Sequence, residues 1–276
     1  MVSNIERILI LAKTYPSPSA RYCETSCVAG LNDQGQLRRL YPVPFRLIEQ
    51  GRQFQKWQWI KARVEKANKD HRPESFKILV DTIECGDVVP PTKGWTHRWP
   101  WLDQLPVFSN SADVEAQRQE TGGTLALLRP KSITGLEVTP ARSPDWTEEE
   151  KAKLVREQMQ GRLFDEEEAR RQVRSLRKIP FDFYYHYVCN TPAGDIGGKH
   201  KIVDWEVGAL YWNCVQGHGD AWEGPFRAKL EKDLLAKDLM FLMGTVHRFP
   251  QQWLIVGLFY PPKRPLGSVP SQQPLF

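Results

Sequence analysis

The sequence predicts a mainly β protein of the α+β class: two β regions, the first reading as a barrel or sandwich, with a charged helical segment inserted between them. Three observations carry this. Short β-branched and aromatic runs separated by turn residues recur through the first 140 residues. A charged stretch with Ala, Leu and Gln then breaks the pattern after Ser143-Pro144-Asp145. A second β-prone run opens at Phe181–Val188. The expected organisation is an N-terminal β-barrel or sandwich over 1–140, a helical connector over 141–180, a β-rich domain with helices over 181–264, and a flexible tail over 265–276.

Arg7–Lys13 is an apolar first strand and not a targeting segment, because its apolar core is short and follows an acidic residue. Thr25–Leu31 and Leu37–Val43 flank Asn32-Asp33-Gln34-Gly35, a polar loop ending in Gly that signals a hairpin. Trp57–Lys66 alternates, with Trp57, Trp59, Lys61, Arg63 and Glu65 on one side. Phe76–Thr82, Thr124–Leu128 and Ile133–Thr139 read as further short strands. Gly94–Leu105, rich in Trp and Pro, reads as a turn or short helix, and Ser111–Glu120 as a helix.

Thr147 with Glu150 three residues on makes a capping box, and the charged run to Lys178 reads as two helices split near Gly161 and Leu163-Phe164-Asp165. Gly194 to Gly198 reads as a Gly-rich loop. Trp205, Ala209 and Trp212 share a helical face, so a helix is expected from Trp205, with a second over Gly224–Lys237. Leu239–Gly244 and Trp253–Tyr260 form a closing hairpin around Val246–Gln252.

The net charge of +5 is unevenly spread. Residues 1–140 hold 19 Lys and Arg against 15 Asp and Glu, whereas residues 181–276 hold 9 against 9. The basic excess therefore sits in the N-terminal half, compatible with nucleic acid but far from a basic arm. Five cysteines, an odd number, indicate free thiols in a reducing, cytoplasmic setting. No run of 18 apolar residues exists, so no membrane span is expected.

The opening Ile8-Leu9-Ile10-Leu11-Ala12-Lys13, then Cys27-Val28-Ala29-Gly30, a turn, and Leu37-Arg38-Arg39-Leu40 with a following Pro resemble the start of the dual-OB-containing domain family of prokaryotes. Leu125-Ala126-Leu127-Leu128-Arg129-Pro130-Lys131 resembles a later strand of such proteins. The resemblance covers roughly the first half. It implies two OB-like barrels, nucleic-acid binding and association with defence against phage or mobile DNA. It transfers no catalytic residue.

Basic and aromatic residues interleave at Lys13-Thr14-Tyr15, Arg39-Leu40-Tyr41, Trp95 to Trp101 and His247-Arg248-Phe249. Such patterning suits a groove that holds phosphates and stacks bases. The expected nucleic-acid contacts are Lys13, Tyr15, Arg39, Tyr41, His71, Arg98, Trp99, Trp101, Arg129, Lys131, His247 and Arg248. The competing reading is an ordinary solvated strand face, and Trp57 and Trp59 are assigned to the core.

Asp204 and Glu206 flank Trp205 after a Lys- and His-bearing Gly-rich stretch. Two near carboxylates are the residue type for a nucleic-acid hydrolase or base glycosylase, with Mg²⁺ only in the hydrolase case. Against that, Asp204 is well placed to cap the following helix. Cys23 and Cys27 have no second ligand pair, so no metal and no resident cofactor are expected. A third reading is an interaction subunit that docks a protein partner through the helical segment 147–178.

Overall fold

A computed structural model describes residues 3–19, 23–152, 155 and 177–264. Its first sheet is a closed barrel. The strands β1 (Asn4–Lys13), β3 (Cys23–Asn32), β4 (Leu37–Val43), β5 (Gln58–Lys66) and β6 (Ser75–Ile78) hydrogen-bond in the order β1-β3-β4-β6-β5, and β5 returns to β1. All pairs are antiparallel except β4 with β6, which is parallel. Short strands β2 (Ser17–Ser19) and β7 (Glu84–Val88) attach to β3 and β5.

The expected turn chemistry closes the first hairpin. Asn32 Oδ1 accepts the backbone N–H groups of Gln34 and Gln36, and Gly35 takes a φ of 71° that favours glycine. Ile8, Ile10, Val28, Leu40, Ile60, Ala62, Val64 and Ile78 fill the barrel. The other face of β1, β3 and β5, carrying Leu9, Leu11, Ala29, Leu31 and Trp59, is buried as well.

What covers that face is the second sheet. It comprises β8 (Val107–Phe108), β9 (Leu125–Leu128), β10 (Ser132–Pro140), β11 (Phe181–Thr191), β12 (Gly194–Ile202), β13 (Met240–Val246) and β14 (Phe249–Phe259). The order is β10-β11-β12-β14-β13-β9-β8. Leu125, Leu127, Met240, Leu242, Val256 and Phe259 pack onto the barrel. Phe183, Tyr185, Tyr187, Phe241, Met243 and Ile255 face the opposite way, onto Val207, Tyr211 and Cys214 of the helix Trp205–His218 and onto Phe226 and Leu230 beyond it. The molecule is thus layered as barrel, sheet and helices.

The mainly β class is the one observed, with one closed barrel. The second expected barrel is instead an open sheet, since no pairing joins β10 to β8 among the described residues. Strands 125–128 and 132–140, assigned from sequence to the first unit, belong to the second sheet, because β9 pairs with β13 and β10 with β11. Gly194 to Gly198 is strand and not loop. A Cβ on Gly198 would stand 2.5 Å from Tyr187 Cζ, so glycine there admits the ring. The last hairpin turns at His247-Arg248 and is tighter than expected.

The capping box forms as read, with Thr147 N donating to Glu150 and Glu150 N to Thr147 Oγ1. Beyond that first turn, the expected helical pair and the tail 265–276 lie outside the described residues. Among those described, no helix is long and apolar enough to cross a membrane.

Candidate functional site

Two places bring chemistry-bearing side chains together: a cleft at the seam between barrel and sheet, and a rim beside it. The seam starts where β1 ends. Tyr15 N donates to the Val203 carbonyl at 2.7 Å, and Thr14 bridges to Asp204. Asp204 is 2% exposed and caps the helix Trp205–His218. Its Oδ1 accepts from Glu206 N at 2.8 Å and its Oδ2 from Leu258 N at 2.7 Å, so one carboxylate ties the helix to β14. Burial raises the Asp204 pKa to about 6, against the opposing pull of Lys56.

Lys56 donates to Glu206 Oε2 at 2.9 Å and to the Leu258 carbonyl at 2.6 Å. Burial acts against its charge, yet Glu206 and Asp204 hold its pKa above the ordinary lysine value. Lys13 is 7% exposed. Its Nζ donates to the Phe54 carbonyl at 2.7 Å and lies 3.5 Å from the Phe45 ring centre. Burial pulls its pKa down to about 8, although Glu206 and Asp204 draw it up. These groups border a cleft of about 410 Å³ that also reaches Leu210, Leu230, Leu234 and Tyr260.

Most residues expected to line a nucleic-acid groove have other partners. Arg39, 3% exposed, donates to the Thr124 carbonyl at 2.8 Å and sits 3.6 Å from Glu74. It is a buried seam residue, because the second sheet covers the strand face that alternation left to solvent. Lys13 is buried in the cleft wall. Tyr15 accepts from Trp212 Nε1 and donates to the Arg177 carbonyl. Arg98 donates to the Val89 carbonyl at 2.9 Å and stacks on Trp57 and Trp95, and burial lowers its pKa to about 10.

Trp101 packs edge-on against Trp59 with ring centres 4.9 Å apart. Trp99 lies under the Arg264 guanidinium at 3.4 Å. Neither is the open stacking platform expected of the pair. Arg129 pairs with Asp238 and Lys131 with Asp195, on the second sheet and away from the barrel face. Trp57 and Trp59 are core, as read from the sequence.

Six of the twelve expected contacts remain exposed: Arg129 and Lys131, each held in its ion pair, and Tyr41, His71, His247 and Arg248. Tyr41 lies on β4 at 44% exposure, one residue past the last parallel pair, Leu40 with Phe76, and exposed Lys77 is the next residue of β6. His71 belongs to the loop that joins β5 to β6. In that loop Arg72 grips Asp70 through two nitrogens, and Arg72 Nη1 reaches the Thr245 carbonyl at 3.1 Å. Burial pushes the Asp70 carboxyl up, but Arg72 holds it well below the usual range. His247 Nδ1 stands 3.5 Å from Asp70. The loop and the β13–β14 tip, where Phe249 is 60% exposed, therefore form one rim.

Lys56, Arg72 and Glu74 escaped the sequence reading. Each lies in a polar connection whose local pattern is that of an ordinary loop, and only long-range pairing gives it a role. Among the described residues no group of three or more His, Cys, Asp or Glu is arranged to hold a metal ion.

Two family comparisons match the chain. A family described as Domain of unknown function (DUF8758) matches residues 4–104, and one described as Domain of unknown function (DUF8757) matches residues 109–276. No curated protein matches. The gap between the matched stretches, residues 105–108, holds β8, the edge strand of the second sheet.

Proposed function

This chain belongs to the family described as domain of unknown function DUF8757, and we propose that it binds single-stranded nucleic acid along the barrel face that its second sheet leaves open. The observation that carries the proposal is an exposed aromatic, Tyr41, on β4, with exposed Lys77 on the neighbouring strand β6, each one residue past the pair of Leu40 with Phe76. Arg63 is exposed on β5, and Lys69, His71, His247, Arg248 and Phe249 are exposed along the rim. Stacking on an aromatic ring beside mobile cations is the chemistry of sequence-tolerant strand binding, at about 1–3 kcal/mol per stacked base.

Two further observations support it. The closed five-stranded barrel with one parallel pair, β4 with β6, supports reading it as an OB-like barrel. The chain's surplus of positive charge lies in its N-terminal half. The setting attached to this reading is the cytoplasm, in defence against phage or mobile DNA.

The test is fluorescence anisotropy with labelled single-stranded DNA and RNA over a salt series. Binding should weaken with salt, and Tyr41→Ala and Arg248→Ala should each weaken it further. Absence of binding to either strand at low salt would sink the proposal.

A further inference from the structure

The seam cleft has the shape and chemistry of a second, separate binding site. Its volume, about 410 Å³, falls within the ~300–1,000 Å³ typical of small-ligand pockets. One wall is helical: Glu206, Leu210 and Asn213 succeed one another along one side of the Asp204-capped helix. The facing wall is a π-helical turn, Lys229–Asp233, which contributes Lys229 and Leu230. A π turn forfeits regular helical pairing and is frequent where a wall is shaped for a ligand.

The deep end offers donors. Among the described residues, Lys13 Nζ spends one N–H, on the Phe54 carbonyl, and Lys56 Nζ spends two, on Glu206 and the Leu258 carbonyl. An ammonium has three N–H bonds to give. Both Asp204 oxygens already accept backbone N–H groups. Glu206, the other carboxylate, is half-exposed at the mouth. Away from the lysines the lining turns to Leu210, Leu230 and Leu234.

We propose that this cleft binds a small amphipathic carboxylate, its head on the Lys13 and Lys56 ammonium groups and its apolar body along Leu210, Leu230 and Leu234. A carboxylate accepts the unspent N–H bonds and gains charge assistance. An ammonium head would meet two buried cations instead. The apolar body rests on half-buried Leu210, with buried Leu230 and Leu234 forming the wall behind it. The cleft shares no residue with the exposed rim, so carboxylate binding stands or falls independently of strand binding.

The test is calorimetric titration of the full chain with octanoate, octylammonium, octanol and acetate. Octanoate should bind. Octylammonium and acetate should bind at least about tenfold more weakly, the weight of one charge-assisted bond or of the apolar body. Lys13→Met should weaken octanoate about tenfold while leaving octanol unchanged. Leu210→Trp, which fills the groove from a half-buried position, should abolish octanoate binding in a protein of unchanged circular dichroism. Equal affinity for octanoate and octylammonium, octanoate binding that survives Leu210→Trp, or no octanoate binding at millimolar concentration would each overturn the proposal.

Discussion

Gly257 of β14 packs directly against the Ala12 methyl of β1: a Cβ on Gly257 would stand 2.7 Å from the Ala12 Cβ. Barrel and sheet are therefore in van der Waals contact at a point with no room for a side chain. Gly257→Val would force the two layers apart and disturb Leu242 and Phe259 beside it. The expected cost is about 1–3 kcal/mol, in the range of overpacked cores. Urea unfolding should show it as a lower midpoint of one shared transition, because the layers have a common apolar core. A midpoint equal to that of the wild type would mean that the seam yields freely.

Arg39 reports on the same seam through charge. Its guanidinium reaches the Thr124 carbonyl and hydroxyl, and Cys27 Sγ at 3.3 Å, while Glu74 bonds Thr124 in turn. Glu74 is itself buried. Arg39→Ala strands that carboxylate, at an expected cost of about 3–5 kcal/mol. Arg39→Met combined with Glu74→Gln should recover much of the loss, since neither charge is then buried alone. Thermal melts of the three variants check this. A strand-binding defect in Arg39→Ala with full stability would instead restore Arg39 to a ligand-facing role.

The contrast between Tyr41 and Arg39 shows what was legible in the sequence. Period-2 alternation correctly put both on the outer face of β4, and the Asn32–Gly35 turn set the hairpin. Alternation says which face a residue takes but not what covers it. The cover, β9 and β13, comes from more than 80 positions away, as the separation of Arg39 from Thr124 indicates. The run Ile8–Ala12 did hold a clue, because five consecutive buried apolar residues suit a strand enclosed on both sides. At the seam cleft, Asp204 was legible as a cap from its place before Trp205. Its second bond, to Leu258 N, joins elements 54 positions apart and leaves no local signature.

Lys13 makes stability depend on alkaline pH. Its pKa in the fold is about 8, below the 10.5 of a free lysine, chiefly through burial. Between those values the unfolded chain holds a proton that the fold has released, so stability rises with pH across that window. The gain should be on the order of 2–3 kcal/mol. Lys13→Met removes the titrating group, so the difference between the two proteins in urea unfolding should shrink in favour of the wild type from pH 8 to 10.5. A constant difference across that range would show that Lys13 stays charged in its aromatic surround.

Asp204 should behave as a clamp with an opposite, acidic signature. Its two oxygens hold Glu206 N and Leu258 N, and Asn can supply only one acceptor oxygen in their place. Asp204→Asn should therefore cost about 1–3 kcal/mol at pH 7, the price of one buried unsatisfied donor. The pKa of about 6 in the fold exceeds the 3.8 of a free aspartate, chiefly through burial. The fold then binds the proton more tightly, so this contribution is fully present below pH 3.8 and declines as pH rises through 6. Asn cannot titrate, so the penalty of the substitution should grow on going from pH 6 to pH 4. Nuclease or glycosylase turnover that vanishes in Asp204→Asn while stability is retained would reverse the assignment, making the carboxylate a reacting group and the cap incidental.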